Sequence, residues 1–424
     1  MNLSELGVAD LLRVCRDLAW SEIAAMPATS KKLGLKRLNA AVIDWSANGA
    51  ALDSLACMQL ATAAATWCDA FETGYEDLFL AKRNAADWAI AMGRVAQRGG
   101  KQLTFSTSGS TGARKHIRHQ LANLMDEARL WAGLLGCDQN RGAPDNAVKR
   151  VVALAPTHHI YGFIWGILVP KALGVPVIDA ELDHMPELLP GDLVVAVPDQ
   201  WAWLANSQHL TASWPGGVRG ISSTAALPTE VHQQLTSRSS SVPVGLPEKA
   251  PLAQLVHIYG SAETAGLAWR DSPHAAYCLA DSRIRTAADG IALLRQGEPP
   301  AELAVQDELQ WVDQRRFHVV ARLDQCVQVA GHNVSPAWVS SQLASHSGVE
   351  QVCVRFCTSA QPPRLKAFIV LKPVDRLDLR ADIETWAAEN LPWYACPCAF
   401  TYGLALPRSS VGKLCDWPHQ TTTL

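Results

Sequence analysis

Thr107-Ser-Gly-Ser-Thr-Gly-Ala-Arg-Lys115 packs four hydroxyl side chains and two glycines into one short run that ends on two cations. Glycines let the backbone turn so that successive N–H groups converge on an anion, hydroxyls add donors, and Lys115 adds a compact positive charge. Such a loop is suited to phosphate. Its glycine spacing is not that of a Walker A loop, and a flexible Ser/Gly linker has a similar composition. The residues in front favour the phosphate reading. Lys101-Gln-Leu-Thr-Phe-Ser106 predicts a short strand, which places the loop at a strand's carboxyl end, where open α/β sheets bind their ligands.

Three more segments follow in order: His257-Ile-Tyr-Gly-Ser-Ala-Glu263-Thr, Ala321-Arg-Leu-Asp-Gln-Cys-Val-Gln-Val-Ala-Gly331 and Pro407-Arg-Ser-Ser-Val-Gly-Lys413. With the phosphate loop they resemble successive core motifs of the adenylate-forming superfamily, which includes acyl- and aryl-CoA synthetases, luciferases and nonribosomal adenylation domains. The resemblance spans about residues 100–424. It implies ATP and Mg2+ as cofactors, a small-molecule carboxylic acid as substrate, and CoA or a pantetheinylated acyl carrier protein as acceptor. In size and style the chain is similar to short bacterial aryl-acid ligases of aryl-polyene pigment synthesis. A medium-chain fatty acid is the alternative substrate, and a non-catalytic nucleotide-binding scaffold the alternative role.

Composition bounds these expectations. The chain has 424 residues, 48% of them hydrophobic, enough for more than one core. A formal charge of -3 speaks against nucleic acid or an anionic membrane as the main partner. Met-Asn-Leu-Ser-Glu-Leu at the start lacks a signal peptide's basic opening and apolar run, so the expected address is cytoplasmic. The apolar stretch Ile160–Ile178 is broken by Pro170, Lys171, Pro176 and three glycines, which predicts a buried helix and strand rather than membrane insertion. The eleven cysteines show no zinc-ligand spacing, and Cys396-Pro-Cys398 is read as two reduced thiols.

Three parts are expected: a helical N-terminal region over 1–98, an adenylate-forming core over 99–323, and a mobile C-terminal lid over 324–424. In the second, apolar runs at Arg150–Ala155, Asp192–Val197 and Gln254–Ile258 alternate with helical stretches, the pattern of a mostly parallel sheet covered by helices. The third reads as a small α+β domain, giving an α/β fold overall. Within the first, Leu52-Asp53-Ser54-Leu55 opens a helix that runs to about Phe71. This triplet resembles the pantetheine-bearing serine motif of acyl carrier proteins, but an Asp or Ser N-cap, which a helix start wants anyway, is the expected reading. Family members carry a larger first subdomain, so the short N-terminus leaves the substrate pocket wall open.

The resemblance assigns roles residue by residue. Thr107, Ser108, Gly109, Ser110, Thr111, Gly112 and Lys115 would surround the triphosphate, Glu263 would bind Mg2+, and Tyr259, beside Gly260, would stack on adenine. Thr224 and Ala225, in Ser223-Thr-Ala-Ala-Leu-Pro228, would lie along the base. Asp307 would accept both ribose hydroxyl protons, and Arg322, fifteen residues on, would contact ribose and phosphate. His159, in Pro156-Thr-His-His-Ile-Tyr-Gly162, would close over the carboxylate. Lys413 would bridge carboxylate and α-phosphate, with Asp324 as the hinge of a domain rotation. The chain departs from the pattern at Arg114 for proline, at Thr224 for glycine, at Val305-Gln306 before Asp307, at Asp416 for a basic residue, and at Ala262, where Thr264 offers a replacement hydroxyl.

Overall fold

The computed structural model describes residues 5–25, 45, 52–108, 114–136, 147–207, 214–237, 251–294, 299–322, 326–357, 360, 362–372, 378–407 and 416–417. Gly109, Ser110, Thr111, Gly112, Asp324 and Lys413 lie outside them. The chain divides into two units: of the described residues, those within 5–23, 45, 52–106 and 116–321 form the first, and 24, 25, 107, 108, 114, 115 and those within 322–417 form the second.

Helices open the first unit, as the apolar periodicity predicts: α1 (Val8–Ala25), α2 (Ser54–Trp67), α3 (Asp77–Ala81) and α4 (Ala85–Gln97). Asp53, not Ser54, caps α2, its Oδ1 accepting from the Ala56 amide at 2.8 Å. The helix stops at Trp67, short of Phe71, because Asp69 turns left-handed (φ 58°) and starts a separate 3-10 turn at Ala70–Glu72. Ser54 sits exposed at the first helical position.

β1 (Gln102–Ser108) and β2 (Arg114–Gln120) pair as a two-stranded sheet whose connection is the glycine-rich loop. After α5 (Leu121–Gly136) the main sheet is laid down by β3 (Arg150–Ala153), β4 (Val177–Asp179), β5 (Asp192–Ala196), β6 (Arg219–Ser222), β7 (Gln254–Ser261), β8 (Ala265–Arg270) and β9 (Tyr277–Leu279). β10 (Arg283–Arg285), β11 (Ile291–Leu293) and β12 (Ala301–Leu303) form an antiparallel side sheet, and β13 (Asp307–Trp311) and β14 (Arg316–Arg322) complete the main one. Its order is β13-β14-β9-β8-β7-β6-β5-β3-β4. β4, β3, β5, β6 and β7 run parallel. From β7 the chain reverses, and β7 to β8, β8 to β9 and β9 to β14 are antiparallel. The βα rhythm legible in the sequence therefore accounts for one half of the sheet, and antiparallel pairs build the other.

Helices cover both faces. Trp201 of α8 (Pro198–Asn206) and Leu235 of α9 (Thr229–Thr236) share a core with Val152, Val194 and Leu255, and α8 presses so close that a Cβ on Gly220 would lie 2.7 Å from the Trp201 ring. The neighbouring Ile221 points to the opposite face, toward Leu134 and Leu135 of α5 and Trp165. Trp165 belongs to an unbroken helical run, α6 (Ile160–Phe163), a π segment (Ile164–Leu168) and α7 (Val169–Leu173), that resolves the Ile160–Ile178 stretch into buried helix and then β4. Among the described residues no helix is long and apolar enough to cross a membrane.

The second unit is α+β. β17 (Val349–Cys357) pairs antiparallel with β18 (Arg364–Leu371), which pairs parallel with β19 (Ala399–Gly403). α10 (Pro336–Ala344) and α11 (Leu379–Asn390) close over it through Val339, Leu343, Ile383 and Ala387, packed on Leu365, Ala367 and Ile369. A hairpin, β15 (Val327–Val329) and β16 (His332–Val334), turns on Ala330 and Gly331, both at positive φ, as a two-residue type I′ turn requires. The described cysteines are free thiols, and burial pushes Cys396 and Cys398 upward, away from reactivity.

Candidate active site

The carboxyl ends of β3, β5, β6 and β7 lie side by side, so the segments that follow them share one edge of the sheet. After β3 comes Pro156–His159, after β6 comes Ser223–Ala225, and after β7 comes Ala262–Thr264. Open parallel sheets place ligands at this edge.

Specific bonds bring these segments together. The Tyr161 hydroxyl, buried at the start of α6, donates within reach of the Ala196 carbonyl at 3.1 Å and the Ile221 carbonyl at 2.9 Å. It thereby ties the His159 segment to the ends of β5 and β6. Gly162 lets α6 start flush against its own approach, because a Cβ there would lie 2.0 Å from the Pro156 carbonyl oxygen. His159 occupies the N-cap position of α6 and is half-buried, its ring 3.9 Å from that of the buried His158. The Ser223 hydroxyl donates to the Ile258 carbonyl at 3.0 Å, fastening the β6 loop to β7.

Thr224 has a φ of 81°. That is the left-handed region, where glycine is at ease and a β-branched residue costs on the order of 1–3 kcal/mol. The backbone shape has thus been kept although glycine has been replaced, and the Thr224 Oγ1 is buried without a hydrogen-bond partner. Ala225 beside it is half-buried.

Tyr259 and Asp307 meet directly, the phenol donating to Asp307 Oδ2 at 2.8 Å. Asp307 opens β13, 48 positions from Tyr259 and separated from β7 by β8, β9 and β14 in the sheet order, so the Tyr259 side chain reaches it past Tyr277 of β9 and Phe317 of β14. Tyr259 packs between Tyr277 and Phe317, with ring centroids at 5.4 Å from each. Gly260 follows at a bulge where a Cβ would lie 2.0 Å from the Ala265 carbonyl oxygen, so the tight Ala262–Thr264 turn requires glycine at this position. Glu263 stands half-buried in that turn. Thr264 does not supply the hydroxyl that Ala262 lacks. Its Oγ1 accepts from the Ser261 amide at 3.0 Å and donates to the Ala265 carbonyl at 3.0 Å, bracing the turn from inside.

Beneath the turn, His119 of β2 donates from Nε2 to the Ala262 carbonyl at 2.6 Å. Burial holds this imidazole below its ordinary pKa, although the Ala262 carbonyl and Glu263 work the other way. His119 is the bond by which the strand leaving the glycine-rich loop reaches the Glu263 turn. Along the loop's edges, Thr107 and Ser108 end β1, and Lys115 lies exposed on β2. Arg322 ends β14.

Several contributors have no motif in the sequence. His119 lies in an ordinary-looking polar strand, and nothing in the sequence sets Tyr161 apart from the residues that flank His159. His257, at the head of the Tyr259 motif, forms a buried pair with His232 of α9, Nε2 to Nδ1 at 2.9 Å. Burial, aided by Arg270, pulls His257 down to about 3, so the pair is neutral at physiological pH. In the second unit, Asp416 pairs at 2.8 Å with Lys366, which is buried and also donates to the Trp417 carbonyl at 2.6 Å. Asp416 thus anchors the segment after Lys413 instead of supplying a cation.

No group of three or more His, Cys, Asp or Glu residues that could cage a metal occurs among the described residues. One carboxylate is nonetheless the donor set Mg2+ uses when phosphates and waters complete its octahedron, and half-buried Glu263 fits that mode.

The family model described as AMP-binding enzyme matches residues 104–289. A 4-coumarate–CoA ligase of Halorhodospira halophila is 36% identical over 367 residues, 85% of this chain and 87% of its own length. A 3,4-dihydroxybenzoate–[aryl-carrier protein] ligase of Bacillus anthracis is 23% identical over 320 residues, 73% of this chain and 71% of its own. Among solved structures, o-succinylbenzoate CoA synthetase from Bacillus subtilis shares the fold with a TM-score of 0.52 at 19% identity, covering 74% of this chain and 67% of that one. The glycine-rich loop, the sheet edge and these matches agree, and the chain belongs to the adenylate-forming, AMP-binding enzyme superfamily.

Proposed function

We propose that this acid–thiol ligase activates an aromatic carboxylic acid of the hydroxybenzoate or hydroxycinnamate type and passes it to the thiol of CoA or of an acyl carrier protein. The reaction type follows from the family: ATP and the acid give an acyl-adenylate and pyrophosphate, and the thiol then displaces AMP. One observation carries the site assignment, the convergence of the His159, Thr224 and Glu263 segments on one sheet edge, with Tyr259 bonded to Asp307. The aromatic substrate is supported by relatives named for 4-coumarate and 3,4-dihydroxybenzoate.

Two anions must meet, so the first need is charge neutralisation. In this reading Thr107, Ser108, Ser110, Thr111 and Lys115 would hold the triphosphate, and Glu263 would hold Mg2+, which would supply neutralisation of phosphate charge. Asp307, already oriented by the Tyr259 hydroxyl, accepts from the ribose hydroxyls, and Arg322 would contact ribose and phosphate, as the family resemblance implies. Thr224 and Ala225 lie along adenine. His159 orients the carboxylate, and Lys413 bridges it to the α-phosphate. No protein nucleophile is needed, since orientation and electrostatics supply the acceleration.

The substrate assignment is tested by supplying hydroxycinnamic, hydroxybenzoic and medium-chain fatty acids with ATP and CoA and weighing the thioesters. Aromatic acyl thioesters are expected at the highest kcat/KM, and a preference for fatty acids would overturn that assignment. Glu263→Gln keeps the shape and removes the charge. It should raise the Mg2+ concentration for half-maximal turnover about tenfold or more with an unchanged melting temperature, whereas an unchanged Mg2+ dependence removes Glu263 from the metal site. In this reading the acceptor thiol is separate from this chain: Asp53 gives the triplet a capping role of its own, and exposed Ser54 is left unmodified. Incubation with a broad-specificity phosphopantetheinyl transferase and CoA should therefore leave the protein's mass unchanged, and a pantetheine adduct on Ser54 would make the acceptor intramolecular.

A further inference from the structure

The N-terminal helix α1 carries an ion network that ends on the backbone of the His159 segment. Asp17, fully buried, accepts at Oδ2 from both the amide of Thr157 at 2.7 Å and its hydroxyl at 2.8 Å. Its Oδ1 is held by Arg16, from Nε at 2.9 Å and Nη2 at 2.7 Å. Arg16 reaches on to Asp179 at the end of β4, 2.7 Å away, and Arg13 grips the same carboxylate from Nε at 2.8 Å and Nη2 at 2.6 Å. The remaining arm of Arg13 donates to the Gly166 carbonyl at 2.5 Å, inside the π segment. One network therefore holds the segment two residues before His159 and the helix seven residues after it.

Four buried or half-buried charges are an expensive way to fasten a helix, because apolar packing of equal volume is often as stable or more so. What charges supply that apolar contacts do not is direction. The Thr157 amide and hydroxyl have one permitted orientation, and the π turn, a feature that recurs at functional sites, has its Gly166 carbonyl satisfied from outside the helix. We propose that Asp17, with Arg13 and Arg16, is a positioning group for acid activation: it fixes the approach to α6 so that His159 faces the carboxylate. This rests on the reading of His159 given above. It also gives α1 a role, since its side chains brace the segments on either side of His159.

The test compares Asp17→Asn with Asp192→Asn. Asp192 is an equally buried partner of an arginine, Arg150 at 2.8 Å, but stands at the opposite end of the parallel strands. In Asp17→Asn, KM for the acid should rise about tenfold or more while KM for ATP stays within about twofold, because small misplacements of a positioned group are costly. Asp192→Asn should lower the melting temperature without that split. Equal effects of the two variants on both substrates would overturn the proposal and leave the network structural. Thr157→Val, which removes one of the two bonds to Asp17, should show a weaker form of the same split, and Thr157→Ser should restore it; this pair decides the matter if Asp17→Asn does not fold. His159→Ala, run alongside, separates the two failures. An acid effect there with none at Asp17 or Thr157 overturns the positioning role alone, whereas unchanged acid kinetics in His159→Ala removes the role of His159 and the proposal with it.

Discussion

Lys413→Ala is expected to slow acyl-adenylate formation on the order of 10²–10³-fold while leaving thioester formation from supplied acyl-adenylate nearly intact. The magnitude is that of deleting one preorganised charge from a site where negative charge develops. The asymmetry follows from the alternating-domain mechanism that the family resemblance implies, in which the proposed rotation about Asp324 would withdraw Lys413 before the thiol attacks. Single-turnover measurements of the two half-reactions read the outcome. Equal losses in both would argue that Lys413 stays in place throughout, or that it supports the fold. The segment after Lys413 is anchored independently by Lys366 through Asp416 and the Trp417 carbonyl, so the Ala variant should retain the melting temperature of the parent.

The largest stability effect is expected at Glu127. This carboxylate is buried in α5, where it accepts from the Gly266 amide at 2.8 Å and the Trp131 indole at 3.0 Å and pairs with buried Arg283 at 3.1 Å. Arg283 in turn donates to the Gly266 carbonyl at 3.0 Å. Burial pushes Glu127 above the usual carboxylate range, opposed by Arg283, so the pair is costly as well as cohesive. Glu127→Ala should therefore cost about 3–5 kcal/mol, less from the attraction lost than from leaving a buried guanidinium without its carboxylate. Denaturant unfolding measures it. A loss below about 1 kcal/mol would mean that Arg283 finds water or another acceptor. The double variant Glu127→Leu with Arg283→Met should recover much of the loss, since both charges then disappear together.

What the sequence made legible was chemistry concentrated in short, contiguous runs. The glycine-rich loop and its preceding strand, the Tyr259–Thr264 turn and the strands at 150–155, 192–197 and 254–258 could be read because turn chemistry and apolar runs are local signals. The helices of the first hundred residues were legible for the same reason. The antiparallel half of the main sheet was not. β8, β9 and β14 carry tryptophan, cysteine and arginine among their apolar residues, and β9 meets β14 only across the intervening strands β10 to β13, a pairing that no local pattern announces. The β15–β16 hairpin was hidden similarly, since Ala330 takes a left-handed conformation that its identity does not announce.

Within the site, residues that act through long-range contacts escaped. His119 reaches the Ala262 carbonyl across 143 positions, and Asp17 reaches Thr157 across 140. Neither belongs to a run that composition or spacing would single out. Thr224 is the converse case. Its departure from glycine looked like weakened resemblance, yet the backbone still takes a glycine-like φ of 81°, so tertiary context imposes the turn and the side chain tolerates the strain. Thr264 shows the limit of reasoning by substitution, because a hydroxyl at the right distance in sequence is already committed to its own turn.

This chain is expected to transfer the adenylyl group of ATP to a carboxylic acid, releasing pyrophosphate. Pyrophosphate release with the purified protein, Mg2+ and ATP, with and without a panel of aromatic and aliphatic acids and with no thiol present, tests it most directly. Acid-dependent pyrophosphate release, with a matching acyl-adenylate detected by mass and strongest for aromatic acids, is the predicted result. Release that is independent of any acid, or none with any acid while ATP still binds, would contradict it.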